Sequence, residues 1–79
     1  MSGQFSRIVS ALESTLDSLR AGPKPQGNKE SYTQFMQRAQ VWDSHKRRFV
    51  VYAIQCLRHY DLDLAIFYSK ELRHIKPIA

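Results

Sequence analysis

The alternation of hydrophobic and polar positions divides the chain into three amphipathic segments. In the first segment, apolar residues recur at steps of three and four, which is the spacing of one face of an α-helix. These residues are Phe5, Ile8, Val9, Leu12, Leu16 and Leu19. Gly22 and Pro23 then form a stop signal, because Gly accepts the left-handed conformation after a last helical turn and Pro cannot continue a helix. The pattern predicts a helix over about residues 4–20.

The second segment comes after a connector over residues 21–30 that is rich in Pro, Gly, Asn and Lys. It opens with Ser31 and Gln34 at the spacing of a capping box, in which each side chain accepts a hydrogen bond from the other residue's backbone. Neither Pro nor Gly occurs again before Pro77, so a long helix is predicted over about residues 32–59. The predicted apolar face comprises Tyr32, Phe35, Ala39, Trp42, Phe49, Val50, Ala53, Leu57 and Tyr60. Lys46 interrupts this face, either by extending to its edge or by marking where a helix interface opens.

The third segment begins at Asp61, a residue type favoured at helix N-caps, and ends before Pro77. Its apolar stripe is Leu64, Phe67, Tyr68, Leu72 and Ile75. Lys70, Arg73 and His74 lie in the last turns, where cations stabilise the helix dipole. We therefore expect a helix over about 62–75. Residues 1–79 then form one all-α domain, a helical hairpin with a long second helix and a short third helix.

The small size of the chain favours self-association. A chain of 79 residues has a marginal core, and Cys56 as the only cysteine excludes an internal disulfide. Four further apolar residues of the second helix lie off its predicted stripe: Val41, Val51, Tyr52 and Ile54. A single hairpin covers them poorly, so either the third helix or a second copy must do so. We expect a homodimer that forms a four-helix bundle.

The positive charge is concentrated in the second helix. The whole chain has a formal net charge of +5. Five basic residues and one acid lie between Ser31 and Tyr60. The bases are Arg38, Lys46, Arg47, Arg48 and Arg58, and the acid is Asp43. A localised positive segment indicates an anionic partner, either nucleic acid or an acidic protein.

A helical projection places most of these bases on the face opposite the apolar stripe. This face comprises Gln37, Gln40, Ser44, Arg47, Arg48, Val51, Gln55 and Arg58, without a carboxylate. It extends roughly 30 Å at about 1.5 Å per residue. Arg, Gln and Ser are the side chains that contact phosphates, sugars and 2′-hydroxyls without reading base sequence. The polar residues of this face are the candidate nucleic-acid contacts; the alternative is a solvated cationic face without a partner.

Signals for other chemistry are absent from the sequence. His45, His59 and His74 have no metal-ligand spacing, and Cys56 lies on or beside the apolar stripe, which is typical of a small hydrophobe. The scattered glycines form no phosphate-binding loop. From these observations together we expect no catalysis, metal, cofactor or small-molecule substrate. Trp42 could stack on bases, but its central position in the apolar stripe favours core packing. No apolar run is long enough for a signal peptide or membrane span, so we expect a cytoplasmic protein without a membrane partner.

In architecture, the chain resembles the nodaviral suppressors of RNA silencing, which are small α-helical dimers that bind double-stranded RNA. The resemblance lies in the amphipathic first helix, the polar loop, the long basic second helix and the short third helix after a break. It extends over nearly the full length. It implies a viral protein whose homodimer binds duplex RNA by shape and masks it from the host's silencing nuclease. The implied contacts are Arg47, Arg48 and Arg58 with their Gln and Ser neighbours.

A second resemblance is local. The string from Leu64 to Ser69, LAIFYS, with Arg73 after it and Thr33 and Phe35 upstream, is similar to the nucleoid modulators of the Hha/YmoA type. That resemblance implies a transcription modulator that acts by binding H-NS-like proteins. A third interpretation is a small helical assembly subunit, with Val51 and Tyr52 buried against another protein.

Overall fold

The computed structural model describes residues 3–25, 27 and 29–78, and in this part of the chain it contains helices and no strand. The helices are α1 (Gly3–Ala21), α2 (Tyr32–Leu57) and α3 (Leu62–Arg73). The predicted all-α class and the long second helix are therefore confirmed. Both α2 and α3 end two residues before their expected limits.

Local side-chain chemistry explains where the helices begin and end. The capping box is present: Gln34 N donates to Ser31 Oγ at 3.1 Å, and Ser31 N donates to Gln34 Oε1 at 3.2 Å. Asp61 caps α3 by accepting a hydrogen bond from the backbone of Leu64 at 3.1 Å. Gly22 comes directly after α1 at φ 81°, a left-handed conformation that glycine adopts without a Cβ clash. These predicted caps are confirmed.

Both α1 and α3 run antiparallel to α2 and lie on different sides of it. The start of α1 meets the end of α2, where the rings of Phe5 and Tyr60 lie 5.8 Å apart. The end of α3 returns to the middle of α2, because Arg47 Nη2 donates to the Ile75 carbonyl at 2.8 Å. A further link joins α3 to α1, with the Tyr68 hydroxyl donating to a carboxylate oxygen of α1.

The core lies along the line where the three helices meet. Its buried residues are Leu12, Leu16, Leu19, Val50, Ala53, Ile54, Leu57, Ala65 and Tyr68. Leu12 and Leu16 of α1 and Val50 and Leu57 of α2 are its largest fully buried side chains, and the helical spacing of the α1 leucines predicts their burial. Burial of each such side chain contributes about 1.5–3 kcal/mol. The hydrophobic effect therefore fixes how α1 and α3 lie on α2, and with it which side of α2 faces outward.

The predicted apolar faces of α2 and α3 are wrong at several positions. Tyr32, Phe49 and Tyr60 are 77%, 41% and 51% exposed, and Phe67 of α3 is 52% exposed. Ile54, which was expected off the stripe, is buried. Since α3 covers α2 on the side that carries Ile54, the buried face is rotated towards α3. Phe49 lies on the opposite flank and stays partly in solvent, whereas Tyr32 stands in the first turn of α2 and Tyr60 lies beyond its end.

The connector between α1 and α2 is partly attached to α2. Arg38 donates from Nε to Glu30 Oε2 at 2.8 Å and from Nη2 to the Lys24 carbonyl at 2.8 Å. The composition of the connector did not predict these bonds to α2. Gln26 and Asn28 of that segment lie outside the described residues.

Candidate nucleic-acid interface

Six of the seven candidate contacts are exposed together on the side of α2 that faces away from the core. They are Gln37, Gln40, Ser44, Arg48, Gln55 and Arg58, and we call this set the α2 outer face. It is outward because α1 and α3 occupy the other sides of the helix. From its first to its last residue it extends about 32 Å, at about 1.5 Å per residue.

Half of the α2 outer face surrounds one shallow depression. Gln37, Gln40 and Ser44 line it together with Val41 and His45, around a volume of about 440 Å³. Three amide or hydroxyl groups thus lie beside one another without an acid among the lining residues. Such groups donate and accept hydrogen bonds to phosphate and sugar oxygens.

Two further residues of the α2 outer face, Gln55 and Arg58, border α3, and Arg48 lines neither depression. Arg58 and Gln55 line a groove of about 280 Å³ with Ser69 and Arg73. Its apolar lining is Val51, Ile54 and Leu72. We call this the α2/α3 groove. It brings together two guanidinium groups that lie fifteen positions apart in the sequence, and no carboxylate is among its lining residues.

Arg73 and Ser69 are the residues that the sequence pattern did not identify as site candidates. The sequence predicts a role for Arg73 in stabilising the end of the third helix, and it includes Ser69 only in the string LAIFYS. The available signal was their spacing of four, which places both on one side of a short helix. That signal becomes meaningful only when α3 is known to run antiparallel beside the end of α2.

Arg47 does not belong to the α2 outer face, and the expectation that it lies on a carboxylate-free ridge is wrong. Its Nε donates to Asp43 Oδ2 at 2.8 Å, and its Nη2 donates to the carbonyl of Ile75 at 2.8 Å. The side chains of Arg47 and Asp43 are only 20% and 9% exposed. The guanidinium therefore joins α2 to the end of α3.

Helical geometry explains why Arg47 and Arg48 differ so sharply. Neighbouring residues project about 100° apart around a helix, so one arginine turns towards α3 when the other points to solvent. Asp43 precedes Arg47 by one turn and lies on the same inner side. The projection from sequence alone placed the boundary of the buried face too far from Arg47.

The remaining arginines of this surface have no acidic partner among the described residues. No ion pair in that part of the chain involves Arg48, Arg58 or Arg73. By contrast, Arg20 pairs with Glu71 at 2.7 Å, and Arg38 pairs with Glu30. The paired acids thus lie on other sides of the fold. Arg48, Arg58 and Arg73 therefore keep uncompensated positive charge on the α2 outer face and in the α2/α3 groove.

Trp42 and Lys46 form a unit at the edge of the core. The Lys46 Nζ lies 5.1 Å from the centroid of the Trp42 ring, within the range of a cation–π contact. Trp42 is partly buried and packs against the core cluster. This geometry agrees with a lysine that extends to the edge of the apolar face, and it places the indole away from the α2 outer face.

Tyr68 and Tyr52 have a raised pKa, and neither lies on the α2 outer face. Burial, together with the hydrogen bond to Glu13, raises the pKa of Tyr68 to about 12. Its hydroxyl donates to Glu13 Oε1 at 2.6 Å. A hydrogen bond with Cys56 raises the pKa of Tyr52. Both shifts favour the neutral phenol, which already predominates at ordinary pH.

The described ranges contain neither a metal-binding cluster nor a membrane-spanning helix. No group of three or more His, Cys, Asp or Glu side chains in these ranges could hold a metal ion. No described helix combines the length and the apolar character needed to cross a membrane.

No protein-family model, curated protein or solved structure matches the chain.

Proposed function

We propose that the chain binds double-stranded RNA without sequence preference, through the α2 outer face and the α2/α3 groove. One observation carries this proposal. Arg58 and Arg73 line one groove, and Arg48 is exposed on the same outer side of α2. None of the three is ion-paired with a described residue, and no carboxylate is among the residues lining the two depressions. A surface built this way attracts a polyanion along its length.

The residue types of this surface fit a sugar–phosphate backbone. Guanidinium groups bind phosphate oxygens through two parallel hydrogen bonds, which supports both affinity and orientation. Gln37, Gln40, Ser44 and Gln55 add amide and hydroxyl groups that bond to phosphates and 2′-hydroxyls. None of these contacts needs a base edge, so the surface recognises the shape of a duplex rather than its sequence.

Arg48, Arg58 and Arg73, the three arginines of this surface without an ion pair, set the magnitude of the electrostatic contribution to RNA affinity. Each neutralised phosphate contributes about −0.9 to the slope of log affinity against log salt concentration. Three contacts give a slope of about −2.7, which weakens binding about 40-fold between 50 and 200 mM salt. A protein that bound RNA mainly by apolar contacts would show a much flatter response.

The test compares duplex RNA, duplex DNA and single-stranded RNA of equal length by fluorescence anisotropy. A variant with Arg48→Gln, Arg58→Gln and Arg73→Gln should lose most of its affinity for duplex RNA. The matched control carries Arg7→Gln, Lys24→Gln and Lys29→Gln, which remove the same charge from exposed positions elsewhere.

The control variant should bind nearly as well as the unaltered chain. Equal weakening of both variants would mean that net charge, and not this surface, attracts the RNA. A strong preference for one base sequence would contradict recognition by shape.

A homodimer is the second part of the proposal. Its support is the number of large apolar side chains that stay exposed in so short a chain outside the two depressions, among them Leu62, Ile66 and Phe67. Two copies would supply six free arginines, and the salt slope would then approach about −5.4. Sedimentation equilibrium over a range of concentrations tests this directly. A monomer at every concentration would contradict it.

A modulator that binds an acidic protein is the second candidate function. The observation that favours it is the mixed character of the α2/α3 groove, where Val51 is 46% exposed beside Arg58 and Arg73. Apolar and cationic groups together suit a protein surface better than a bare phosphate backbone. This candidate predicts negligible affinity for all three nucleic acids in the same anisotropy experiment.

A further inference from the structure

A second groove runs along the opposite flank of α2, between that helix and α1. It consists of two adjoining depressions of about 190 and 240 Å³, and Phe49 lines both. We call it the α1/α2 groove. Its lining residues from α1 are Gln4, Arg7, Ile8, Ala11 and Thr15, and those from α2 are His45, Lys46, Phe49, Tyr52, Ala53 and Cys56.

The floor of this groove is apolar and incompletely covered. Phe49 and Tyr52 are 41% and 64% exposed, and Ile8 and Ala11 of α1 form the facing wall. The described part of the chain leaves both rings open to solvent. Aromatic side chains held on a rigid helix beside an apolar wall are typical anchors for a binding partner.

Two cations stand on the rim of the groove, and one of them, Lys46, also borders a neighbouring depression lined by Glu13 and Asp17. Arg7 borders one depression and Lys46 borders the other, and no carboxylate is among their lining residues. Neither side chain is ion-paired with any residue that the structure describes. From Arg7 to Thr15 the groove runs beside α1 for about 12 Å, which is about two helical turns.

We propose that the α1/α2 groove binds an acidic amphipathic helix of a partner protein. Two turns accommodate apolar side chains at positions i, i+3 or i+4, and i+7 of such a helix against Phe49 and Tyr52. Carboxylates that flank this stripe then reach Arg7 at one end and Lys46 at the other. Charge complementarity of this kind orients the partner helix and selects an acidic one.

The same charges argue against the other occupants of the groove. A second copy would bring an identical rim, so a two-fold contact would place the Arg7 and Lys46 cations of one copy against those of the other. An RNA backbone gains nothing from an apolar floor. The groove also lies on a different flank of α2 from Arg48, Arg58 and Arg73, so this inference goes beyond RNA binding and does not depend on it.

The experiment uses isotope-labelled full-length chain and two designed helical peptides of about 18 residues, long enough to form a helix. Both peptides carry leucines at the i, i+3 and i+7 positions, with glutamates on the flanks of one and lysines on the flanks of the other. The glutamate peptide should shift the amide resonances of Ile8, Ala11, Phe49 and Tyr52. The lysine peptide should leave them unchanged.

Paired variants separate a docking site from general attraction between charges. Tyr52→Ala should weaken binding of the glutamate peptide about tenfold, whereas Tyr32→Ala, at an aromatic residue that is 77% exposed, should not. Arg7→Gln should weaken it more than Lys29→Gln does. The variant that lacks Arg48, Arg58 and Arg73 should bind the peptide normally even if its RNA affinity is lost.

Three results would overturn the inference. The first is the absence of any shift with the glutamate peptide. The second is a set of shifts confined to the α2 outer face, which would mean non-specific attraction. The third is a concentration-dependent shift of Phe49 and Tyr52 without peptide, which would assign the groove to a second copy of the chain.

Discussion

Arg47 and Arg48 are adjacent in the sequence, yet the structure predicts opposite consequences when each is replaced by alanine. Arg47 holds Asp43 and the end of α3 together in a largely buried site. Arg48 is exposed on the α2 outer face and has no ion pair within the described chain. Arg47→Ala should therefore reduce stability, and Arg48→Ala should reduce RNA affinity.

The expected loss for Arg47→Ala comes from the charge that the change leaves behind. Arg47→Ala leaves the Asp43 carboxyl in a site where its side chain is 9% exposed, without the guanidinium that compensated it. Removing one partner of a buried ion pair costs about 3–5 kcal/mol, and we take about 3 kcal/mol because Arg47 is partly solvated. A chain of this length has a free energy of unfolding of roughly 4–12 kcal/mol.

Thermal and urea unfolding monitored by circular dichroism measure this loss. A change of about 3 kcal/mol lowers the Tm of a domain of this size by about 12–24 °C. Arg48→Ala should leave the Tm nearly unchanged and weaken duplex RNA binding about fivefold, the loss of one phosphate contact. The double variant Asp43→Leu with Arg47→Met should recover most of the stability, because it leaves no unpaired buried charge.

An Arg47→Ala chain that unfolds at the same temperature as the unaltered chain would refute this prediction. A double variant as unstable as the single one would also refute it, since the cost would then come from lost packing and not from Asp43. If a folded Arg47→Ala chain lost RNA affinity as strongly as Arg48→Ala, Arg47 would also belong to the RNA-binding surface.

Three further predictions concern the caps and the buried phenol. Ser31→Ala removes the capping box and should lower the free energy of urea unfolding by about 1 kcal/mol, whereas restoration by threonine should recover most of the loss. Gly22→Ala should lower the free energy of unfolding by about 1 kcal/mol in the same assay, because φ is 81°. No neighbouring atom would crowd the added Cβ, so the loss comes from the backbone alone, and an unchanged stability would refute the left-handed cap. Because the folded-state pKa of Tyr68 is raised to about 12 from 10.0, its contribution to stability is present below pH 10 and is lost as pH rises through 12. This alkaline loss should be smaller in Tyr68→Phe, and an identical pH profile for both chains would contradict it.

Local signals were sufficient to predict the helices. Ser31 with Gln34, Asp61, and Gly22 with Pro23 act within a few residues of themselves, so their effect can be read from the sequence without knowing the tertiary fold. The leucines of α1 likewise identify their own buried face. These features determined the class of the fold and the order of its elements.

Which flank of α2 is buried could not be predicted from local signals in the same way. Ile54 is buried and Phe49 is exposed because α3 lies on one flank of α2 and not on the other, and this choice depends on contacts made far along the chain. The same rotation turned Arg47 inward. A projection of one helix treats all its flanks alike until the neighbours are known.

The sequence predicted the central residues of the candidate surface but not the residues where it borders α3. Arg48, Arg58 and their amide neighbours are outward because they lie opposite the α1 leucines, which the sequence could indicate. Arg73 reaches the same surface only through the antiparallel return of α3. A tertiary contact between elements therefore completes the site.

The most direct test of the central claim is the salt dependence of duplex RNA affinity, measured for the unaltered chain and for the variant lacking Arg48, Arg58 and Arg73. If these arginines neutralise phosphates, the slope of log affinity against log salt should become shallower by about 2.7 per protomer. Equal slopes for the two proteins would contradict the claim that these three side chains form the RNA-binding surface.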